Sequence, residues 1–363
     1  MNRWIGYTFI ACVVILFAEL LSGYIVAQYG RPAEPAFFRA ARLLSASLDS
    51  RAVNNLADAE KGPIIADNLN NPFMSNAPDS VLVRLHPFID FSNVHALSRD
   101  GTVNSTSNDF FGFRNETDFY FDNRDADDLF IVLSGGSECA GYSHIDLTIS
   151  DAIQRHLQTH TNKNVRVLNL CMNSYVLAHE IQTYVHLGYE MKPDVVISHS
   201  GWNDVIYGLL VSEEFLQTGL IYNKTQELWL EPLYSAVKET PPPNIFTSFN
   251  TDSSGLITQA YIKQAQKYKQ IANSNGSVFM LGLQSYNPII ENGAMREIHE
   301  EVHRTMAVIS TSMPQGLVSV DFSTESGRGV TFVDSIHSSQ ESVNVIAEIY
   351  VRYILSHHSS LLE

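Results

Sequence analysis

The sequence predicts an α/β protein, a three-layer α/β/α sandwich built on a five-stranded parallel sheet and preceded by an N-terminal transmembrane helix. Three observations carry this expectation. From Asp128 onward, short apolar runs alternate with longer amphipathic segments, the rhythm of βαβ units. The runs are predominantly apolar and do not alternate strictly, as expected of a parallel sheet buried on both faces. Residues Trp4 to Ala27 form one long, almost wholly apolar stretch.

That stretch comes first in the chain. It is long enough to cross a hydrocarbon core of ~30 Å. Cleavage after Ala27 would put Ile25 where a signal peptidase prefers a small side chain, so an uncleaved signal-anchor at 1–27 is the favoured reading. Arg3 on the leading side places the remainder of the chain on the extracytoplasmic side, periplasmic or extracellular. Glu19, the one interior charge, either pairs with a partner helix or snorkels. Residues 28–108, where short helical patterns mix with Pro and Asn clusters, read as a stalk and packing collar. Residues 109–363 form the α/β domain.

Within that domain the expected strands are Leu129–Leu133, Val165–Cys171, Val195–His199, Val278–Leu283 and Leu317–Phe322. Helical patterns lie near Asp146–His160, Val176–Gly188, Leu256–Asn273, Met295–Ile309 and Glu341–Leu355. Right-handed crossovers between parallel strands cover both faces of the sheet. Loops at the C-terminal strand ends then form the site, so reactive residues should follow the apolar runs directly. Residues 206–250, with the Pro241-Pro242-Pro243 turn, interrupt the rhythm as a lid or a surface excursion. Its aromatics Phe215, Tyr222, Trp229 and Tyr234 line a cleft or pack the insertion itself.

Composition narrows the function. Apolar residues make up 45% of the chain and charged residues 17%, enough for a sizeable core. Acidic residues outnumber basic ones by 39 to 23, which argues against a phosphate-tracking nucleic-acid surface. Cys12 lies in the anchor. Cys139 and Cys171 fall at one end of the sheet, as a disulfide or as two small buried thiols. Sequons at Asn104, Asn115, Asn223 and Asn275 carry little weight.

Three short motifs fall at strand ends. Ser134-Gly135-Gly136-Ser137-Glu138 follows the first strand, at a turn able to present the Ser137 hydroxyl. It is not a G-x-S-x-G elbow, because Cys139 replaces the final glycine. Gly201-Trp202-Asn203-Asp204 follows the third strand; its amide suits a developing oxyanion, although Asn203 or Asp204 would equally serve as a helix N-cap. Asp334-Ser335-Ile336-His337 follows the fifth. A carboxylate three residues before a histidine can reach its Nδ1 and leave Nε2 as a general base.

Taken together, this set resembles the SGNH (GDSL-like) hydrolase family, with a flavodoxin-like sheet. Phe130-Ile131-Val132-Leu133-Ser134-Gly135-Gly136-Ser137 matches the first family block, Gly201-x-Asn203-Asp204 the third and Asp334-x-x-His337 the fifth. Gly112-Phe113-Arg114, Lys192-Pro193-Asp194 and Leu283-Gln284 resemble segments of its membrane-anchored branch. The resemblance covers roughly Asp109 to the C-terminus. The second block, Val167 to Tyr175, departs from the pattern, because Cys171 and Ser174 stand where the family has glycines.

The resemblance implies Ser137, His337 and Asp334 as catalytic residues. It implies an oxyanion hole from the backbone N–H groups of Ser137 and Ser174 and the Asn203 amide. Neither metal nor organic cofactor is implied. The expected activity is hydrolysis of an O-acyl ester, with a small-molecule or glycan substrate and carbohydrate O-deacetylation foremost. The alternatives are an acyltransferase that passes the acyl group to a cell-envelope or exported polysaccharide, and a non-catalytic glycan binder.

One rival motif competes. His299-Glu300-Glu301-Val302-His303 matches H-E-x-x-H, with Glu325 at a possible third-ligand distance. Arg296, Glu297 and Arg304 around it read instead as the solvated face of an outer helix, and no zinc site is expected.

Overall fold

A computed structural model of the chain describes residues 113–115, 125, 127–141, 147–209, 253–289, 296–324 and 329–363, with the backbone of a hairpin at 83–86 and 90–93. The expectations for the anchor and stalk, Cys12, Gly112, Asn104, Asn223, Glu325 and the insertion aromatics lie outside the described residues. Among the described residues, no helix is long and apolar enough to cross a membrane. The hairpin pairs Val83–His86 antiparallel with Asp90–Asn93.

The sheet has five parallel strands: β1 (Asp128–Gly135), β2 (Asn164–Cys171), β3 (Val195–Ser200), β4 (Val278–Leu283) and β5 (Val318–Asp321). Their order is β2-β1-β3-β4-β5, so chain direction across the sheet reverses beside β1. Every residue of β1 and β3 is buried, which explains the apolar runs at 129–133 and 195–197 within them. Register brings Gly135, the end of β1, level with Cys171 of β2 and His199 of β3. Three strand ends, and the turns that follow them, therefore meet at one rim.

Helices α1 (Ser137–Ala140), α2 (Ile149–Gln158), α3 (Leu177–Thr183), α4 (Trp202–Gly208), α5 (Ser254–Ser274), α6 (Arg296–Ser312) and α7 (Ser342–His357) complete the layers. Helix α2 starts at a capping box: Thr148 Oγ1 accepts from the Asp151 N–H at 3.2 Å and Asp151 accepts from the Thr148 N–H at 2.9 Å. On one face of the sheet, Ile149, Ile153 and Leu157 of α2 and Val343, Ile346 and Tyr350 of α7 pack on Leu129, Ile131, Leu133, Val195 and Ile197. Strand periodicity turns Phe130, Val132, Ser134, Val196 and Ser198 to the opposite face, under α3 and α5. Truncating a core residue such as Ile131 to alanine would cost about 2–5 kcal/mol.

Two boundaries differ from expectation. The pattern read as one helix over Val176–Gly188 is α3 followed by a π turn, Tyr184–Gly188, and a 3-10 turn, Tyr189–Met191. Ile206 to Gly208 belong to α4, so the interruption starts after them. Two sequon asparagines make hydrogen bonds that hold the fold together. Asn115 is buried and exchanges hydrogen bonds with the backbone of Asn169, and Asn275 donates to the Tyr189 carbonyl.

Candidate active site

Ser137 opens the one-turn helix α1, immediately beyond β1, and its side chain stays partly exposed. His337 Nε2 lies 2.8 Å from Ser137 Oγ, and His337 Nδ1 lies 2.6 Å from Asp334 Oδ2. The hydrogen placement that satisfies both contacts has Nδ1–H donating to Asp334 and Nε2 accepting from the Ser137 hydroxyl. The D-x-x-H spacing has a local cause. Asp334 Oδ1 accepts from the backbone N–H groups of Ile336 and His337, both at 2.8 Å, so the carboxylate folds the chain into an Asx turn. Pairing of Val333 with His337 and of Ser339 with Thr331 closes that turn at its base. Asn287 buttresses it from the loop after β4, donating its side-chain amide to the Asp334 carbonyl and its N–H to the Ser335 carbonyl.

The Asp334 side chain is 46% exposed and that of His337 is 11% exposed. Partial burial pushes the Asp334 carboxyl up. The hydrogen bond and charge of His337 and the backbone N–H donors outweigh it and hold the group below its ordinary value. Asp334 is thus an ionised orienter of the imidazole.

Asn203 sits in the first turn of α4 and donates through Nδ2 to the Tyr175 carbonyl at 2.9 Å. Its amide lies against Gly136: a Cβ on Gly136 would come within 2.6 Å of Nδ2. The glycine before the serine is therefore a steric requirement of the amide beside it. Gly201 has φ +130°, and a Cβ there would meet Leu283 Cδ1 at 2.8 Å, so the entry to α4 also requires glycine. Neither Asn203 nor Asp204 acts as the N-cap considered for this helix; Gly201 holds that position. Asp204 instead accepts from the Leu177 N–H at 3.0 Å. Together the Asn203 and Asp204 contacts fasten α4 to the loop carrying Ser174.

Ser174 adopts φ +64°, the left-handed region in which glycine is favoured. The serine accepts the conformation at a cost of about 1–2 kcal/mol. Cys171, the other departure from the family pattern, is bonded to Cys139 with a Cα–Cα distance of 5.7 Å. Of the two readings of these cysteines, the disulfide is the one found. It joins the helix of Ser137 to the strand that leads into Ser174. Closing this loop stabilises the fold by about 4 kcal/mol in the chain-entropy account.

Three features escaped sequence reasoning. Glu138, next to the serine, is fully buried and accepts from the Ser338 N–H at 2.9 Å, tying α1 to the histidine turn. Burial raises its carboxyl, opposed by the nearby His337 and Ser338. Beneath the rim, Glu180 accepts from Ser134 Oγ at 2.8 Å and Ser198 Oγ at 2.6 Å, and Tyr268 lies 3.0 Å from Ser134. Burial pushes Glu180 up to about 7 and, with the Glu180 charge, pushes Asp204 well above its ordinary range.

The third is the orientation of α6. Its two histidines do not lie on a solvated face. His299 and His303 are half-buried, each with its ring 5.8 Å from that of Trp202. The charged residues Arg296 and Glu300 pair on the exposed side at 2.7 Å, and Arg304 pairs with Glu301 at 2.6 Å. Among the described residues, no group of three His, Cys, Asp or Glu side chains is placed to hold a metal ion.

Fold and geometry together define a class: a parallel α/β sandwich with a Ser–His–Asp row at its C-terminal rim. No protein-family model matches the chain, and no curated protein matches it. Solved structures do. A lipase from a goat rumen metagenome shares 12% identity, with 62% of this chain and 97% of that one covered, at a TM-score of 0.38. An acetyl xylan esterase shares 11%, covering 62% and 99%, at 0.39. A GDSL-like lipase from Bacteroides thetaiotaomicron shares 11%, covering 63% and 88%, at 0.36.

Proposed function

We propose that this chain is a serine-dependent ester hydrolase of the SGNH type, acting on an O-acyl ester as a carbohydrate O-deacetylase. The observation that carries the reading is the unbroken row from Ser137 Oγ through His337 to Asp334, with contacts of 2.8 and 2.6 Å. Such a row supplies a nucleophile, a base and an orienter in one line.

In this reading Ser137 Oγ attacks the ester carbonyl carbon as His337 Nε2 takes the hydroxyl proton. The negative charge on the former carbonyl oxygen is held by the backbone N–H groups of Ser137 and Ser174 and by Asn203 Nδ2. Collapse breaks the carbon–oxygen bond to the alcohol, and His337 gives its proton to that leaving oxygen. Water, deprotonated by His337, then attacks the acyl-serine, releases the acid and restores Ser137. Asp334 remains ionised and fixes the imidazole tautomer throughout. The steps need no metal or organic cofactor.

In this reading the domain lies on the extracytoplasmic side of a membrane, with the apolar stretch at 1–27 as its anchor. The apolar stretch behind Arg3 and the Cys139–Cys171 disulfide support this, since disulfides persist in oxidising compartments. The substrate is an O-acylated small molecule or glycan; nucleic acid is not a partner.

The test is acetate release from O-acetylated oligosaccharides by the full-length protein and by Ser137→Ala. Release by the first and none above background by the second is expected. Transfer of the acetyl group to an added glycan in preference to water would convert the reading to an acyltransferase. Saturable glycan binding with neither release nor transfer would leave a binder.

A further inference from the structure

Four rings gather next to the segments that carry Asn203 and Asn287. Trp202, immediately before Asn203, is buried at 2% exposure. Against it lie Tyr286, at 5.9 Å between ring centres, and His299 and His303 of α6. Tyr286 and His303 are also in mutual contact at 4.4 Å. The position of Tyr286 is fixed by its neighbour, because Asn287 bonds to the carbonyls of Asp334 and Ser335. The cluster therefore spans from the oxyanion amide on one side to the turn bearing His337 on the other.

Three properties set it apart from core packing. Tyr286 and His303 keep part of their surface open. Among the described residues, neither the Tyr286 phenol nor the His303 imidazole makes a hydrogen bond. The two ring groups that face outward are themselves neutral at pH 7: burial, with His299 beside it, pushes His303 down to about 4, burial and the Asp321 charge push the Tyr286 phenol up, and the helix cations Arg296 and Arg304 are paired with Glu300 and Glu301. Flat aromatic faces edged with neutral hydrogen-bonding groups match the C–H face and hydroxyls of an uncharged sugar ring. An acyl chain would leave the phenol and imidazole unpaired.

The geometry points to Tyr286 and His303, backed by Trp202, as the subsite for an uncharged pyranose ring in the alcohol half of the ester. The inference rests on the reading of Ser137 as an acyl-accepting nucleophile. It follows from which side of the row is flanked. His337 protonates the leaving alcohol, and Tyr286 adjoins the His337 turn. The alcohol half is thereby directed over the rings, and the acyl half is left to the other side of Ser137.

The test compares kcat/KM for a mono-O-acetylated methyl pyranoside with that for vinyl acetate, which presents the same acyl group without a ring, using the full-length protein. In Tyr286→Ala and His303→Gln the ratio of the two should fall on the order of fivefold to tenfold, and in Tyr286→Phe, which keeps the ring, about twofold or less. An unmoved ratio in the first two variants overturns the proposal. So does a changed preference between acetate and octanoate esters with the pyranoside ratio intact, since that would put the acyl chain on the rings.

A second arm separates this inference from the hydrolase reading. Saturation-transfer NMR of the unacetylated methyl pyranoside on Ser137→Ala should show binding that is lost when Tyr286→Ala is added. That result supports the subsite even if the wild-type protein releases no acetate. Binding that persists in the double variant overturns the subsite and leaves the hydrolase reading standing.

Discussion

Asp334 and Glu180 are both carboxyls hydrogen-bonded to hydroxyl- or ring-bearing partners at the C-terminal end of the same sheet, yet they are driven in opposite directions. Asp334 is nearly half exposed, faces an imidazole that can carry positive charge and accepts two backbone N–H bonds. Its carboxyl is held below the ordinary range. Glu180 is fully buried and, among the described residues, has no cationic partner; serine hydroxyls are its donors. Burial pushes it up to about 7. Neutral donors do not replace the lost hydration of a full charge, whereas a potential cation and two aligned N–H groups do. The rim thus has an ionised carboxylate where chemistry requires one, and the layer beneath has a carboxyl that favours its neutral form.

This contrast can be broken from either end. The largest effect is expected for Asp334→Asn. An amide would favour the wrong imidazole tautomer, and kcat should fall on the order of 10²–10⁴-fold with KM little changed, measured by steady-state ester hydrolysis. A fall of less than tenfold would mean that the Asx turn alone orients His337.

Next comes Glu180→Gln, read by stability and not by rate. With the folded-state carboxyl at about 7 and an ordinary value of 4.5, the folded protein binds the proton more tightly than the unfolded chain between those limits. Stability therefore falls as pH rises from about 4.5 through 7, and levels off above. That difference corresponds to on the order of 3 kcal/mol at most. Urea unfolding at pH 5 and pH 8 should show the wild-type protein losing stability toward pH 8. The glutamine variant should lose less. Equal slopes would show that Glu180 is ionised in the folded protein without penalty.

The smallest effect concerns Ser174→Gly, which removes the Cβ from a left-handed position. It should gain up to about 1 kcal/mol, because relief of strain exceeds the entropy glycine adds to the unfolded chain. Activity should be kept, since the backbone N–H is unchanged. Loss of activity would assign the Ser174 hydroxyl a role of its own.

The central strands were legible because both faces of β1 and β3 are buried, so apolar residues dominate them and their few polar side chains must be hydrogen-bonded. The spacing of Asp334 and His337 was legible for a similarly strict reason: an Asx turn of that length brings carboxylate and imidazole together locally. Glu180 was not legible. It lies in a helical pattern with glutamine and histidine neighbours, and only the approach of Ser134 and Ser198 from other strands marks it as buried. The histidines of α6 misled in the opposite way. Arg296, Glu297 and Arg304 mark a solvated face, but positions 299 and 303 share the face turned toward Trp202, whose place depends on the turn after β3. Glu138 and the cysteine pairing likewise became definite only once β1, β2 and the histidine turn met at one rim.

The most direct test of the central claim is treatment of the full-length protein with a fluorophosphonate probe, followed by intact mass and peptide mapping, with Ser137→Ala and His337→Ala alongside. The account predicts a single adduct on Ser137 in the wild-type protein, absent from Ser137→Ala and strongly reduced in His337→Ala. A folded wild-type protein that stays unlabelled, or one labelled equally well without His337, would contradict it.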